Sequence, residues 1–211
     1  VSQTNPITVN GQTSFAYDGL KFVASNQGNA SRLGQSVAPA GTVNNTQAFL
    51  IGAPGATDPT GNNPNTGRAY LVYGTGLNST TITSHQVDLD LPPAGVNVVT
   101  FVNSATGAQT GYSVGTVFNM LGDGVNDIVI GAPTASVGGQ GATGAVYVIS
   151  GRAIPTSGTI DLATVGQANG VAGMVLTGQA VGDLFGWSVA DAGNVNGDVQ
   201  ANGNVRINDL V

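Results

Sequence analysis

Cysteine and glutamate are absent from this chain, lysine and histidine occur once each, as Lys21 and His85, and all 11 acidic residues are aspartate. Without cysteine there is no disulfide framework and no thiolate metal site, which fits a cytosolic protein or a larger secreted one that needs no staples. A single histidine cannot build a zinc site, and it leaves only one conventional base for a nucleophile. With no glutamate and one lysine the strong helix formers are scarce, and no stretch of a dozen residues keeps a 3.6-residue period, so long helices are excluded. The five basic residues, Lys21, Arg32, Arg68, Arg152 and Arg206, are scattered over a chain of net charge −6. Phosphate neutralisation needs clustered lysine and arginine, so nucleic acid is excluded as a partner. No apolar run approaches the roughly 20 residues that a bilayer span requires.

What the chain has in abundance is turn chemistry. Its 33 glycines stand among many Asn, Thr and Ser residues, while Val, Ile, Leu and the aromatics come in short bursts, the pattern of an all-β protein. Few charges with abundant Thr, Asn, Gly and Ala point to an extracellular or cell-surface protein.

The chain also repeats itself. "RLGQSVA", "QTGYSVG" and "LFGWSVA" superpose on Ser36, Ser113 and Ser188. Downstream of the first two come "FLIGAP" or "IVIGAP", then "GRAYLVYG" or "GAVYVISG". Upstream of each serine lies a further shared element, in "GLKFVASNQGNAS", "NVVTFVNSATGAQ" and "AGMVLTGQAVGD". Repeat units of approximately 7–86, 87–159 and 160–211 follow, the last incomplete. Each holds four apolar bursts, with a longer link near "VDLDL" or "IDLAT", and predicts four short antiparallel strands in one small twisted sheet. Such a sheet cannot bury both faces alone, so units must pack face to face, and a β-propeller is the natural closed solution.

This order of motifs resembles the FG-GAP repeat family, known from the seven-bladed propellers of integrin α subunits and from bacterial surface proteins. Phe185-Gly186 matches the family's Phe-Gly, and Gly52-Ala53-Pro54 and Gly131-Ala132-Pro133 match its Gly-Ala-Pro. Leu33-Gly34 and Thr110-Gly111 are weakened versions of the first motif. The resemblance implies four-stranded antiparallel blades, about three of them here. That is fewer than the four to eight blades a ring typically needs, so a longer parent protein, or other chains, would complete it.

In this family the turn before the Gly-Ala-Pro strand is often a nine-residue calcium loop, with side-chain oxygens at positions one, three, five and nine and a backbone carbonyl at seven. Oxygen-only ligation suits a hard cation, and a glycine after position five allows the bend. The resemblance maps Asn119, Asp123, Val125 (carbonyl) and Asp127 onto these positions in the second unit, but puts Leu121 at position three. In the third unit it maps Asn194, Asn196 and Asp198, with Asp209 as the closing carboxylate once an insertion loops outward, at little entropic cost. The first unit, "GTVNNTQAFLIGAP", has no acid and is expected to be metal-free. For the second loop, the bland reading is an Asp123-Gly124 hairpin turn.

Catalytic motifs weaken under inspection. "GYSVG" fits the nucleophile elbow around Ser113, yet its sister copies read "GQSVA" and "GWSVA" and no helix follows, so Ser113 is expected on a strand. "GQGATG" (139–144) fits a dinucleotide fingerprint but precedes "AVYVIS", a strand, and is expected to be a hairpin loop. Asp88 and Asp90 are expected to alternate on one strand face, as edge charges before catalytic acids. The chain is therefore expected to be a non-enzymatic extracellular or cell-surface structural or adhesive module. Its expected partners are other proteins, surface polymers or further copies of itself. The alternatives are a subunit of a self-assembling extracellular filament or layer, and a propeller hydrolase or lyase with a site at the central funnel.

Overall fold

The computed structural model describes residues 3–9, 12–17, 19–25, 29–58, 61–78, 82, 84–199 and 206–211. They are all-β, as the composition predicts. Strands are joined by turns and short 3-10 segments, and no α-helix occurs among the described residues.

Two sheets dominate. The first contains β4 (Ser36–Val43), β5 (Thr46–Ala53), β6 (Arg68–Tyr73) and β8 (Val98–Val102), antiparallel in sequence order. The second repeats the plan with β9 (Ser113–Phe118), β10 (Asn126–Ala132), β11 (Ala145–Ser150) and β13 (Gly173–Thr177). Local chemistry fixes the corners. Asn44 and Asn45 both take positive φ, 49° and 59°, which is what a two-residue hairpin between twisted strands requires. "GQGATG" lies in the loop joining β10 to β11 and leads into strand, not helix. Smaller pairs flank the sheets: β1 (Gln3–Val9) with β2 (Gln12–Tyr17), and β14 (Asp191–Gly193) with β15 (Asp209–Leu210).

The sheets run out of phase with the sequence repeat. The element upstream of Ser113, and likewise that upstream of Ser188, joins the sheet of the preceding unit, so β8 closes the first sheet and β13 the second. The longer links contribute as well. β12 (Gly158–Asp161) adds to β8 in parallel, pairing Ile160 with Phe101 and Asp161 with Val102. β7 (Gln86–Asp88) adds to β3 (Lys21–Val23) in the same way, pairing Val87 with Phe22 and Asp88 with Val23. Each link therefore clasps the outer strand of the unit before it.

Both faces of each main sheet are covered, which explains why β6 and β11 are buried along their whole length and, apart from Arg68 and Ser150 at their ends, lack the polar alternation of a half-exposed strand. Leu50, Leu71, Tyr73 and Phe101 from the first sheet pack with Ile128, Ile130, Tyr147 and Ile149 from the second. Ile51, Tyr70, Val72 and Val98, on the opposite face of the first sheet, meet Val87 and Leu89. Val129, Val146 and Val148 do the same on the far face of the second sheet, with Val189 and Leu210 against them.

One joint recurs between successive units. Ser36 Oγ donates to the Gly111 carbonyl at 2.9 Å, and Ser113 Oγ donates to the Gly186 carbonyl at 2.8 Å. Gly111 N–H in turn donates to Gly131 O at 3.0 Å within its own sheet. The glycine of each Gly-Ala-Pro faces the same carbonyl. A Cβ on Gly52 would stand 1.9 Å from Gly111 O, and one on Gly131 would stand 2.1 Å from Gly186 O. The serine, the Gly-Ala-Pro glycine and the next unit's Phe-Gly glycine thus form one close backbone approach that only glycine permits.

Candidate functional site

The loop from Asn119 to Asp127 joins β9 to β10 and closes largely on its own hydrogen bonds. Asn119 is fully buried with φ at 58°. Its N–H donates to Val125 O at 2.8 Å, and its amide nitrogen reaches Arg206 O at 2.8 Å. Its side-chain oxygen accepts from Gly124 N–H. Asp123 accepts from Val125 N–H at 3.1 Å and from the Ser150 hydroxyl. The Arg152 guanidinium donates twice to the Asp123 carbonyl, at 3.0 and 2.9 Å. Gly124, at φ 83°, supplies the bend that the Asp-Gly pair promised. Leu121 packs against the Val117–Val129 core, which accounts for an apolar side chain in what would be a ligand position.

One oxygen is left over. Asp127 Oδ2 accepts from Leu121 N–H at 2.9 Å, whereas Oδ1 is buried with no hydrogen-bond partner. Burial pushes the Asp127 pKa up to about 6; the Asp123 charge adds to the rise, while nearby amides of Leu121, Gly151 and Met120 oppose it. A carboxylate oxygen in that position needs a proton or a cation to satisfy it.

The third unit builds a second loop of the same kind. Asp209 Oδ2 accepts from Val195 N–H at 2.8 Å and from Asn196 N–H at 3.3 Å, as Asp127 Oδ2 does from Leu121. Asp209 therefore returns to the head of the loop across the insertion; residues 200–205 of that insertion lie outside the described residues. Asn196 and Asp198 exchange bonds, Nδ2 to Oδ2 at 3.1 Å and Asp198 N–H to Asn196 Oδ1 at 2.9 Å. Asn194 donates from Nδ2 to the Asp198 carbonyl, and its Oδ1 is buried without a partner. Each loop thus holds one orphaned oxygen, with two carboxylates and one or two amides around it. That donor set fits a hard, oxygen-seeking cation such as calcium, and it fits better in the third unit, where Asn196 stands in place of Leu121. Calcium there would crosslink the two ends of the loop. The first unit has no room for such a loop, because Asn44-Asn45 turns directly from β4 into β5.

The side chains that hinted at catalysis are engaged elsewhere. Ser113 opens β9 and bonds the Gly186 carbonyl. Asp88 ends β7, where bonds from Ser25 N–H and hydroxyl and from Asp90 N–H outweigh burial and hold its carboxyl below the usual range. Asp90 lies past the strand end and pairs with Arg68 at 3.1 Å and with the Tyr70 hydroxyl at 2.9 Å. Burial, reinforced by the Asp90 charge, raises the Tyr70 pKa well above its ordinary value. The two acids do not share one strand face. His85 sits in the exposed turn before β7, and its carbonyl accepts from Lys21 N–H at 2.9 Å.

Sequence reasoning missed Arg152 and the role of Ser36 and Ser113. The serine alignment across units was the available signal for the latter. No protein-family model and no curated protein matches the chain.

Proposed function

We propose that the chain is a stretch of a β-propeller of the FG-GAP type, serving outside the cell or at its surface as a non-enzymatic structural or adhesive module. The observation that carries this reading is the recurring joint, Ser36 to Gly111 and Ser113 to Gly186. A contact repeated with the same partners relates each sheet to the next by the same step, which is how a ring of blades is generated. The engagement of Ser113, Asp88 and Asp90 in structural bonds supports a scaffold role over a hydrolase or lyase. Partners in this reading are other proteins, surface polymers or further copies, met through loops that the shared architecture leaves free to vary.

Calcium is the proposed cofactor, held by Asn194, Asn196, Asp198 and Asp209 and, more weakly, by Asn119, Asp123, Asp127 and the Val125 carbonyl. Its role would be to stiffen the hairpins. Thermal melting during calcium titration tests this: a rise in melting temperature is expected, much reduced in Asp209→Ala and little changed in Asp123→Ala. A melting temperature indifferent to millimolar calcium refutes the metal assignment.

A further inference from the structure

The clasp described above occurs at two of three equivalent places. β3 is clasped by β7 and β8 by β12, both in parallel and both in one register. The pairings of β8 with β6 and of β13 with β11 make Phe101 equivalent to Leu176, and Val102 to Thr177. Yet β13 is the edge of its sheet among the described residues. The face of β8 that carries Val99 and Phe101 is covered both by the second sheet and by Ile160 and Leu162 of the clasp, whereas the corresponding face of β13 has Val189 and Leu210 of the third unit near it and no clasp among the described residues. Val99 and Phe101 on β8 are 0% exposed, whereas Met174 on β13 is 36% exposed, and Val175 and Leu176 are only half-buried.

The clasping segments share a chemistry. Val87-Asp88-Leu89 and Ile160-Asp161-Leu162 each bury both apolar side chains. In each, the aspartate folds back on the amide two residues ahead, Asp88 Oδ1 on Asp90 N–H at 3.1 Å and Asp161 Oδ1 on Ala163 N–H at 2.9 Å. The aspartate ends the strand, and the apolar pair anchors it. The open edge has matching polarity. Ala172 O accepts from Ser150 N–H and Gly178 N–H donates to Gly144 O, so even-numbered backbone groups of β13 face β11. The peptide groups of Gly173, Val175 and Thr177 point outward. On β8, Asn97 O faces β6 by the same logic, which leaves Val98, Thr100 and Val102 facing β12.

We propose that the outer edge of β13 is a docking site for an extended segment of the pattern (Val or Ile)-Asp-Leu, namely the link of a further repeat unit of this kind. The segment is taken up as a parallel strand, its apolar residue opposite Leu176 and its aspartate opposite Thr177. Backbone bonds to Val175 and Thr177 supply affinity, and the two apolar side chains, covering the exposed Met174–Leu176 stretch, supply specificity. The proposal rests on reading the chain as stacked repeats, but not on calcium or ring closure.

The probe is a synthetic peptide of residues 157–164, SGTIDLAT, titrated into the isotope-labelled chain while amide resonances and hydrogen exchange are followed. Saturable shifts and slowed exchange at Val175 and Thr177 are expected. A peptide with Asn replacing the isoleucine should bind at least about tenfold more weakly, since an amide would then be buried in an apolar slot. Val175→Pro, which removes an outward N–H at an edge where proline is tolerated, should abolish uptake. Absence of binding at millimolar peptide, or shifts at Thr100 that report exchange with β12, overturns the proposal. Neither result bears on the calcium melting test.

Discussion

Asp127 offers the sharpest test of how the second loop is held. Its folded pKa of about 6 lies above the unfolded value of 3.8, chiefly because the carboxyl is buried. The fold therefore binds the proton more tightly than the unfolded chain does. This contribution to stability is complete below about pH 4, declines as pH rises through about 6, and is gone by about pH 7 to 8. A shift of about two units corresponds to about 3 kcal/mol in all, of which about half is recovered between pH 8 and pH 5, or about 3–6 °C in melting temperature for a chain of this size. In EDTA, melting scans from pH 8 to pH 5 should show the temperature rising as pH falls, and Asp127→Asn should flatten that slope. Calcium in the loop would favour the ionised carboxylate and lift the pH 8 end selectively. A melting temperature that stays level from pH 8 to pH 5 in EDTA, with the same profile in Asp127→Asn, would refute the reasoning, because no buried carboxylate would then be titrating.

Two further perturbations probe the frame. Ser36→Ala and Ser113→Ala each strip a donor from a glycine carbonyl and should each cost about 1–2 kcal/mol in urea unfolding. Because the two joints are hydrogen-bonded to each other through Gly111 N–H and Gly131 O, the double variant should depart from the sum of the single losses. Asp90→Ala leaves the Arg68 guanidinium and Tyr70 hydroxyl without their shared acceptor, and both residues are buried. A loss of about 3 kcal/mol is expected in the same assay.

Much of the scaffold was legible because strand chemistry is local. The Gly-Ala-Pro strands and their partners, the Asp123-Gly124 bend and the "GQGATG" loop all follow from short-range rules of φ and alternation. The membership of each sheet was not, since pairing is a long-range choice: nothing within "NVVTFV" says that it closes the sheet before it. β7 and β12 were hidden for a related reason. Three or four residues ending in aspartate read as a charged link, and only the partner strand reveals that Val87 and Ile160 are buried. In the candidate site, the ligand spacing could be seen in the sequence, but the competition for each oxygen could not. Asp123 has acceptors to spare on paper, and Ser150 and Val125 use them.

The offset between sheet and repeat sets how the molecule can be divided. A cut at 86/87 or 159/160, where the sequence units meet, strips β8 from the first sheet and β13 from the second, and the two cuts also split β7 and β12. A cut between Val102 and Ser113 leaves the first sheet its four antiparallel strands. The unit that gene duplication would copy and the unit that could be lifted out intact are thus different segments of chain. Any insertion of one more copy has to be accommodated by two sheets at once.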